Sequence, residues 1–512
     1  MLRSPGTTAR IGSLVGLVFS AGTFAHGISD GARADEQERP APRVKARGRT
    51  ESLTLVDTID FSKWRPDLVA VSPDGTRMAY AVLDGQGRGH VVVDGKAGTD
   101  YAGLAGRPVF SADSRRVAHL ARNTQDLWFA VVDGVERPDK HPSVEGLPGV
   151  SPNLLFSLDG HRLAYVVSAD SGGVVKQFVV ADRQEGAKHD EIAGLAISPD
   201  GERLAYAART GNRWAVVVDG REGPGHEGVL GQTPVFSPDG RHVAYAGREG
   251  RRFFLVVDKK RGRDYDALGG AIFFGPDSAR VVYSPSVGRR RAVVVDDEEL
   301  GLYERVDDYS FAFSPDGKHL AYKAGDSTSW FIVVDGKRGR GYAGVGHPVF
   351  APDGSKVAYV ACDRCGGGPR EEAAKFVVVD GRRIGAAYSD IADPIAFSAD
   401  GRRMAFAARR GSAQLVVVDG KEERSYAGIM AESLVFSPTG RDLVYAVARD
   451  ARKQVVVVSG VEGREFEAIG PRGLEGSLPQ AAWLLFDSDR SFRYLASLGN
   501  KVYLVRNWAV DR

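Results

Sequence analysis

The sequence predicts an all-β fold: a β-propeller of about eleven four-stranded blades, closed by a strand from the N-terminal side. Three observations carry this expectation. A phrase close to Phe-Ser-Pro-Asp-Gly recurs along most of the chain, as at 236–240, 313–317 and 397–401. Its copies lie about 40 residues apart, the period of a propeller blade built from four strands. Between copies the apolar residues alternate or form β-branched runs, with no helical periodicity.

The aspartates Asp74, Asp113, Asp159, Asp200, Asp239, Asp277, Asp316, Asp353 and Asp400 mark nine copies, and Thr439 and Asp489 hold the place in two degenerate ones. Eleven blades exceed the typical range of about 4–8 in a ring. Two abutting propellers of about five and six blades, divided near residue 270, are therefore expected; one large ring is the alternative.

Each copy repeats one grammar. A short innermost strand such as Pro234-Val235-Phe236 runs into Ser-Pro-Asp-Gly, where proline presets φ and glycine accepts the positive φ that follows. The second strand, exemplified by Val243-Ala244-Tyr245-Ala246, alternates large with small apolar residues. Both its faces are thus covered, the large face of one blade packing on the small face of the next. A variable loop leads to a β-branched third strand ending in Asp-Gly, as at Gly220, Gly336 and Gly420, a strong two-residue hairpin signal. The fourth strand is marked only by an aromatic and an aliphatic residue: Tyr265 with Leu268, Tyr388 with Ile391, Tyr426 with Ile429. The last copy stops without a fourth strand, and residues 53–57, which have no blade of their own, are expected to supply it.

Ahead of the repeats, Arg3 and Arg10 precede a short apolar stretch and the small-residue site Ala32-Arg33-Ala34. Residues 1–34 read as a signal peptide, 35–51 as a charged disordered linker and 52–512 as propeller repeats. No later apolar run is long enough to cross a bilayer. The mature chain is expected to be periplasmic or secreted, without a transmembrane segment. Lys plus Arg number 68 against 66 for Asp plus Glu, so no net field recommends nucleic acid as a partner.

The Phe-Ser-Pro-Asp-Gly phrases followed by Ala-Tyr or Ala-Phe resemble the WD-repeat-like blades of TolB-like periplasmic proteins and of the N-terminal domain of prolyl-oligopeptidase-type peptidases. The resemblance runs from about Val69 to the C-terminus. It implies a propeller whose signature residues build turns and packing, in a family whose members mostly bind proteins. The peptidases carry a further hydrolase domain, which needs a Gly-x-Ser-x-Gly nucleophile elbow on a strand-turn-helix; the repeats from about Val69 onward contain none, so an enzyme of that kind is not expected.

Candidate sites lie outside the repeated phrase. The loops between second and third strands are basic: Arg209, Arg213; Arg248, Arg251, Arg252; Arg289, Arg290, Arg291; Arg409, Arg410; Arg449, Arg452, Lys453. They read as a positively charged face for a protein or an anionic envelope polymer, or as a solvated polar rim. Polar residues placed just before the innermost strands, Arg107, Asn153, Asp308, His347, Asp393 and Glu432, would rim the funnel on the same face. They could form a pocket, and the alternative function is a propeller enzyme of lyase or glycosidase type acting there. Cys362 and Cys365 are the only cysteines, and in an exported chain they read as a local disulfide, with zinc aided by His347 as the other reading. The turn aspartates read as structural rather than calcium-binding, His189, His226 and His242 show no ligand spacing, and no metal or cofactor is expected.

Overall fold

The computed structural model describes residues 45–46, 49–60, 68–144, 154–170, 173–230, 233–365, 374–470 and 484–509. Residues 1–34, read as a signal peptide, lie outside them, as does Asn153. Eleven antiparallel sheets follow one another along the chain, and the described residues contain no α-helix. In order, blades 1 to 10 comprise residues 69–97, 103–136, 143–185, 191–222, 228–261, 267–303, 305–338, 344–388, 390–426 and 428–466, and blade 11 is built on 468–509.

Blade 4 shows why the sequence folds this way. Its strands Glu191–Ile197, Leu204–Thr210, Arg213–Val218 and Arg221–Glu222 pair in chain order from inside to outside. In the first turn Ser198 Oγ donates to Asp200 Oδ1 at 2.5 Å, while Gly201, at φ 76°, donates its N–H to the Ser198 carbonyl at 2.9 Å. A Cβ on Gly201 would also come within 3.0 Å of Asp159 in blade 3, so this glycine serves both the turn and the approach of two blades. In the second turn Asp219 and Gly220 both have positive φ, 51° and 73°, as the Asp-Gly hairpin requires.

The second turn also fastens one blade to the next. Asp219 Oδ1 accepts the Leu204 N–H at 3.0 Å and Oδ2 accepts Arg203 Nε at 3.0 Å. Arg203 Nη1 in turn donates to the carbonyls of Gly240 and Arg241 in blade 5, at 3.2 and 2.6 Å. The same aspartate–arginine latch recurs at Asp94–Arg77, Asp133–Arg116, Asp182–Arg162 and Asp419–Arg403. The repeated aspartates are thus engaged in folding contacts.

Seams between blades are packed as the alternation predicts. Ala244 of blade 5 lies in one cluster with Tyr283 of blade 6, while Tyr245, on the opposite face, packs with Val216 of blade 4. Clusters of this kind among the described residues join every blade to its successor, and Leu495, Val502 and Leu504 of blade 11 pack on Val69, Met78 and Tyr80 of blade 1. The packing is one cycle of eleven, the one-ring alternative rather than two abutting rings. A division near 270 would fall inside Ala267–Phe274, the innermost strand of blade 6.

Closure is by the N-terminal strand, which pairs with Lys501–Ala509 as the outer strand of blade 11. It is longer than expected: Arg49–Thr58 is continuous, so residues 49–51, read as linker, belong to the blade, and Lys45–Ala46 adds a short hairpin. Glu51 is drawn inside because Tyr494 Oη and Asn507 Nδ2 both donate to its Oε1, at 3.2 and 3.1 Å. A second correction concerns the outer strands. Tyr265 bridges Phe253 in its own blade, but Leu268 lies in the innermost strand of the next one. Ile391 and Ile429 do likewise.

Candidate functional site

Strand direction sorts the connections onto two faces. The Ser-Pro-Asp-Gly and Asp-Gly turns share one; the hairpins between second and third strands and the entries to the innermost strands share the other, the loop face. All the basic candidates stand on or beside this loop face.

Most of them are neutralised within the ring. Arg209 pairs with Glu191 at 3.0 Å, Arg213 with Glu249 at 3.2 Å and Arg252 with Asp266 at 2.6 Å. Arg410 donates to Glu422 at 2.8 Å, and Arg449 and Lys453 share Glu465, at 2.5 and 2.8 Å. Arg248 closes its own hairpin by donating to the Gly250 carbonyl at 3.0 Å. Arg291 differs most from expectation: it is half-buried, donates to Ser284 and Ser286, and is paired with Asp308. A Cβ on Gly269 would lie 2.4 Å from both partners, so the bare backbone of blade 6 makes room for this pair.

Arg251, Arg289 and Arg290 are exposed and have no acidic partner among the described residues. They sit at the adjacent hairpin tips of blades 5 and 6, beside Val287, which is 41% exposed. The guanidinium groups of Arg409 and Arg452 also have no carboxylate partner among the described residues, one on each of blades 9 and 10, although the Arg452 backbone N–H donates to Asp450 at 2.8 Å.

The funnel candidates divide. Arg107 and Glu432 lie in blades 2 and 10, and Asp308 is committed to Arg291. His347 and Asp393 belong to a charged cluster spanning blades 7, 8 and 9. Asp307 Oδ2 is 3.3 Å from His347 Nε2 and accepts Lys323 Nζ at 3.2 Å. The hydrogen bond with His347, aided by the charge of Lys323, holds the Asp307 carboxyl far below the usual carboxylate range despite its partial burial. Asp393 is pushed the other way by burial, with His347, Lys375 and Lys323 only partly offsetting it. Lys375 itself is paired with Asp390 at 2.6 Å. Burial also lowers the Arg107 guanidinium from its ordinary value.

Asp307, Lys323, Lys375 and Asp390 were not singled out in the sequence. One signal was legible: Lys323 follows Tyr322 where other blades place alanine on the small face, as in Tyr206-Ala207 and Tyr245-Ala246. It emerges at the seam beside Trp330, with Nζ 4.8 Å from the ring centroid. Cys362 and Cys365 are joined by a disulfide in the blade 8 hairpin, over Gly344. His347 serves Asp307 instead, and among the described residues no group of three or more His, Cys, Asp or Glu is arranged to hold a metal ion.

The sequence matches no family model. It also matches no curated protein. Among solved structures, it is similar to a crystal structure of a eukaryotic initiation factor at 12% identity and TM-score 0.37, covering 69% of this chain and 96% of that one. Kuenenia stuttgartiensis hydrazine synthase gives 14% identity and TM-score 0.27, over 52% of this chain and 95% of that one. TolB from Acinetobacter baumannii gives 15% identity and TM-score 0.23, over 58% and 78%. At these values none of the three bears on what this chain binds. No helix among the described residues is long and apolar enough to span a membrane.

Proposed function

We propose that this chain is an exported propeller scaffold that recognises a protein or an anionic envelope polymer through its loop face, with blades 5 and 6 as the point of contact. One observation carries the reading. On a face where most basic side chains are tied to acids of the same ring, Arg251, Arg289 and Arg290 stand at the hairpin tips of successive blades, exposed and without a carboxylate partner among the described residues. Such a local excess attracts an acidic partner even though the whole chain is nearly neutral, and the attraction is screened by salt beyond about 10 Å at 0.1 M.

Reversal of Arg289 and Arg290 to glutamate tests it, with poly-L-glutamate and dextran sulfate as probes at low and high salt. The expected result is salt-sensitive binding by the natural chain that falls at least about tenfold in the variant, the scale of two lost ionic contacts. Arg291→Glu is the contrast, since it breaks the internal pair with Asp308 and should damage the fold. Binding unchanged by R289E/R290E would overturn the reading.

A propeller enzyme at the funnel is the second reading. It is favoured by Asp307 and Asp393, two carboxyls pushed in opposite directions around His347 and Lys323, the pattern that assigns acid and base roles. Cleavage of a polysaccharide panel that disappears in Asp393→Asn would support it.

A further inference from the structure

Each seam between consecutive blades from 1 to 11 holds an edge-on or tilted aromatic contact between the end of one outer strand and the second strand of the next blade. From blade 5 onward both rings are tyrosine or phenylalanine: Tyr265–Tyr283, Tyr303–Tyr322, Tyr342–Tyr359, Tyr388–Phe406, Tyr426–Tyr445 and Phe466–Tyr494. The four preceding seams each substitute a histidine: Tyr101–His119, His141–Tyr165, His189–Tyr206 and His226–Tyr245. The geometry is the same throughout, with centroids 5.8 Å apart at His226 and 6.4 Å at Tyr342. Only the titratable character changes, and it changes in one uninterrupted arc.

We propose that blades 1 to 5 form an acid-sensitive arc, in which protonation of His119, His189 and His226 loosens their seams while the rest of the ring stays closed.

The surroundings of His119 and His189 show why a second N–H is hard to accommodate, while His141 and His226 have carboxylates close by. Nε2 of His119, His141 and His189 is buried without a hydrogen-bond partner among the described residues. His119 faces Tyr101, which is itself bonded to Glu136. His141 lies 3.7 Å from both Asp139 and Glu185, beside Phe178 and Tyr165, and the Tyr165 hydroxyl already occupies Asp139 at 2.6 Å. His189 Nδ1 is 3.1 Å from Thr210 Oγ1; Asp190 and Glu222 favour its cation and Lys176 opposes it. His226 is set between Glu249 at 3.3 Å and the Tyr245 hydroxyl at 3.2 Å, with Phe254 beside it and Arg213 and Arg261 opposing a further charge.

Burial pulls His119 down to about 4 and holds His189 and His226 below the ordinary imidazole value despite their acidic neighbours. An opened seam, whose rings are hydrated, therefore binds protons more readily than a closed one. At the seams of His119, His189 and His226 the closed state is fully favoured above about pH 6.5 and loses that advantage as pH falls below it, by at most about tenfold per histidine per pH unit.

Hydrogen exchange of the full mature chain, compared at about pH 7.5 and about pH 5 after correction for intrinsic rates, reads the effect directly. The expected result is at least about tenfold more opening in the second strands of blades 2, 4 and 5 than in those of blades 7 to 10, one pH unit of linkage at one histidine. The variant H119Y/H141Y/H189Y/H226Y, which writes into the arc the residue most other seams use, should abolish the difference. If that variant does not fold, His189→Phe and His226→Tyr made singly should each quiet their own seam. His242→Gln and His319→Gln, at exposed pairs with Asp258 and Asp335, should change nothing in the arc. Acid opening spread evenly around the ring, or an arc response that survives the seam substitutions, would overturn the proposal.

Discussion

Replacing Asp419 by alanine is expected to cost about 3 kcal/mol of stability, a sum built from three contributions. Oδ1 of Asp419 accepts the Met404 N–H at 2.9 Å, and the mutation leaves that strand amide without its charged acceptor, at about 1.5–2 kcal/mol. Its Oδ2 accepts Arg403 Nε at 3.0 Å, but the side chains are 35% and 42% exposed, so the ion pair contributes no more than about 1 kcal/mol. Alanine at a φ of 51° adds about 1 kcal/mol of backbone strain. Losing the carboxylate also frees Arg403, which donates to Gly440 and Arg441 of blade 10 at 3.0 and 2.8 Å and lies 5.1 Å from the Phe436 centroid. Asp419→Asn keeps an acceptor for Met404 and tolerates the positive φ, so it should lose only about 1 kcal/mol. Urea unfolding of the two variants and of Arg403→Ala, with exchange of the Met404 amide as a local probe, measures these terms. If alanine falls within about 0.5 kcal/mol of the natural chain, or asparagine is as damaging as alanine, the latch does not hold blades 9 and 10 as argued.

Two further outcomes follow from buried contacts. Glu51 is 6% exposed and burial raises its carboxyl above the ordinary value, so the folded chain binds its proton more tightly than the unfolded one and stability falls as pH rises through that raised value. Glu51→Gln, whose amide oxygen can still accept from Tyr494 and Asn507, should melt higher than the natural chain at about pH 8, with the gap closing toward pH 5; a gap independent of pH would refute the assignment. Gly269→Ala places a Cβ against both Arg291 and Asp308, and should cost about 1–3 kcal/mol by calorimetry; a loss under about 0.5 kcal/mol would show that the pair yields without strain.

What was legible in the sequence was whatever a short segment must encode for itself. Ser-Pro-Asp-Gly, Asp-Gly and the large–small alternation of Val243-Ala244-Tyr245-Ala246 are local instructions, and the structure follows them. The outer strands were misread because nothing punctuates the crossing between blades: only Asp266 separates Tyr265 from Ala267–Phe274 of the next sheet, with no turn residue at the boundary. Charge balance was illegible for a different reason. Arg213 meets Glu249 and Arg291 meets Asp308 across strands, at separations that sequence proximity does not reveal. The number of rings depends on the angle between neighbouring blades, and all eleven write that angle in the same kinds of residue.

A closed ring holds each blade between two neighbours, so seams can loosen along one arc while the remaining contacts keep the ring together. On the turn face the blades are held by aspartate–arginine latches that repeat from blade to blade. On the loop face Gln177, Gln414 and Gln454 accept the N–H of Ile192, Ile429 and Ile469 of the next blade, and in blades 4 and 5 its charge pairs and the histidine seams share atoms. Glu249 Oε1 lies 3.2 Å from Arg213 and 3.3 Å from His226, so one carboxylate serves both a loop-face arginine and a seam imidazole. On the proposals above, a proton on His226 would draw on that carboxylate and leave Arg213 less neutralised, adding positive charge next to Arg251 as the seam loosens. Seam opening and attraction for an acidic partner would then rise together as pH falls, through a single side chain whose two partners lie in the same blade seam.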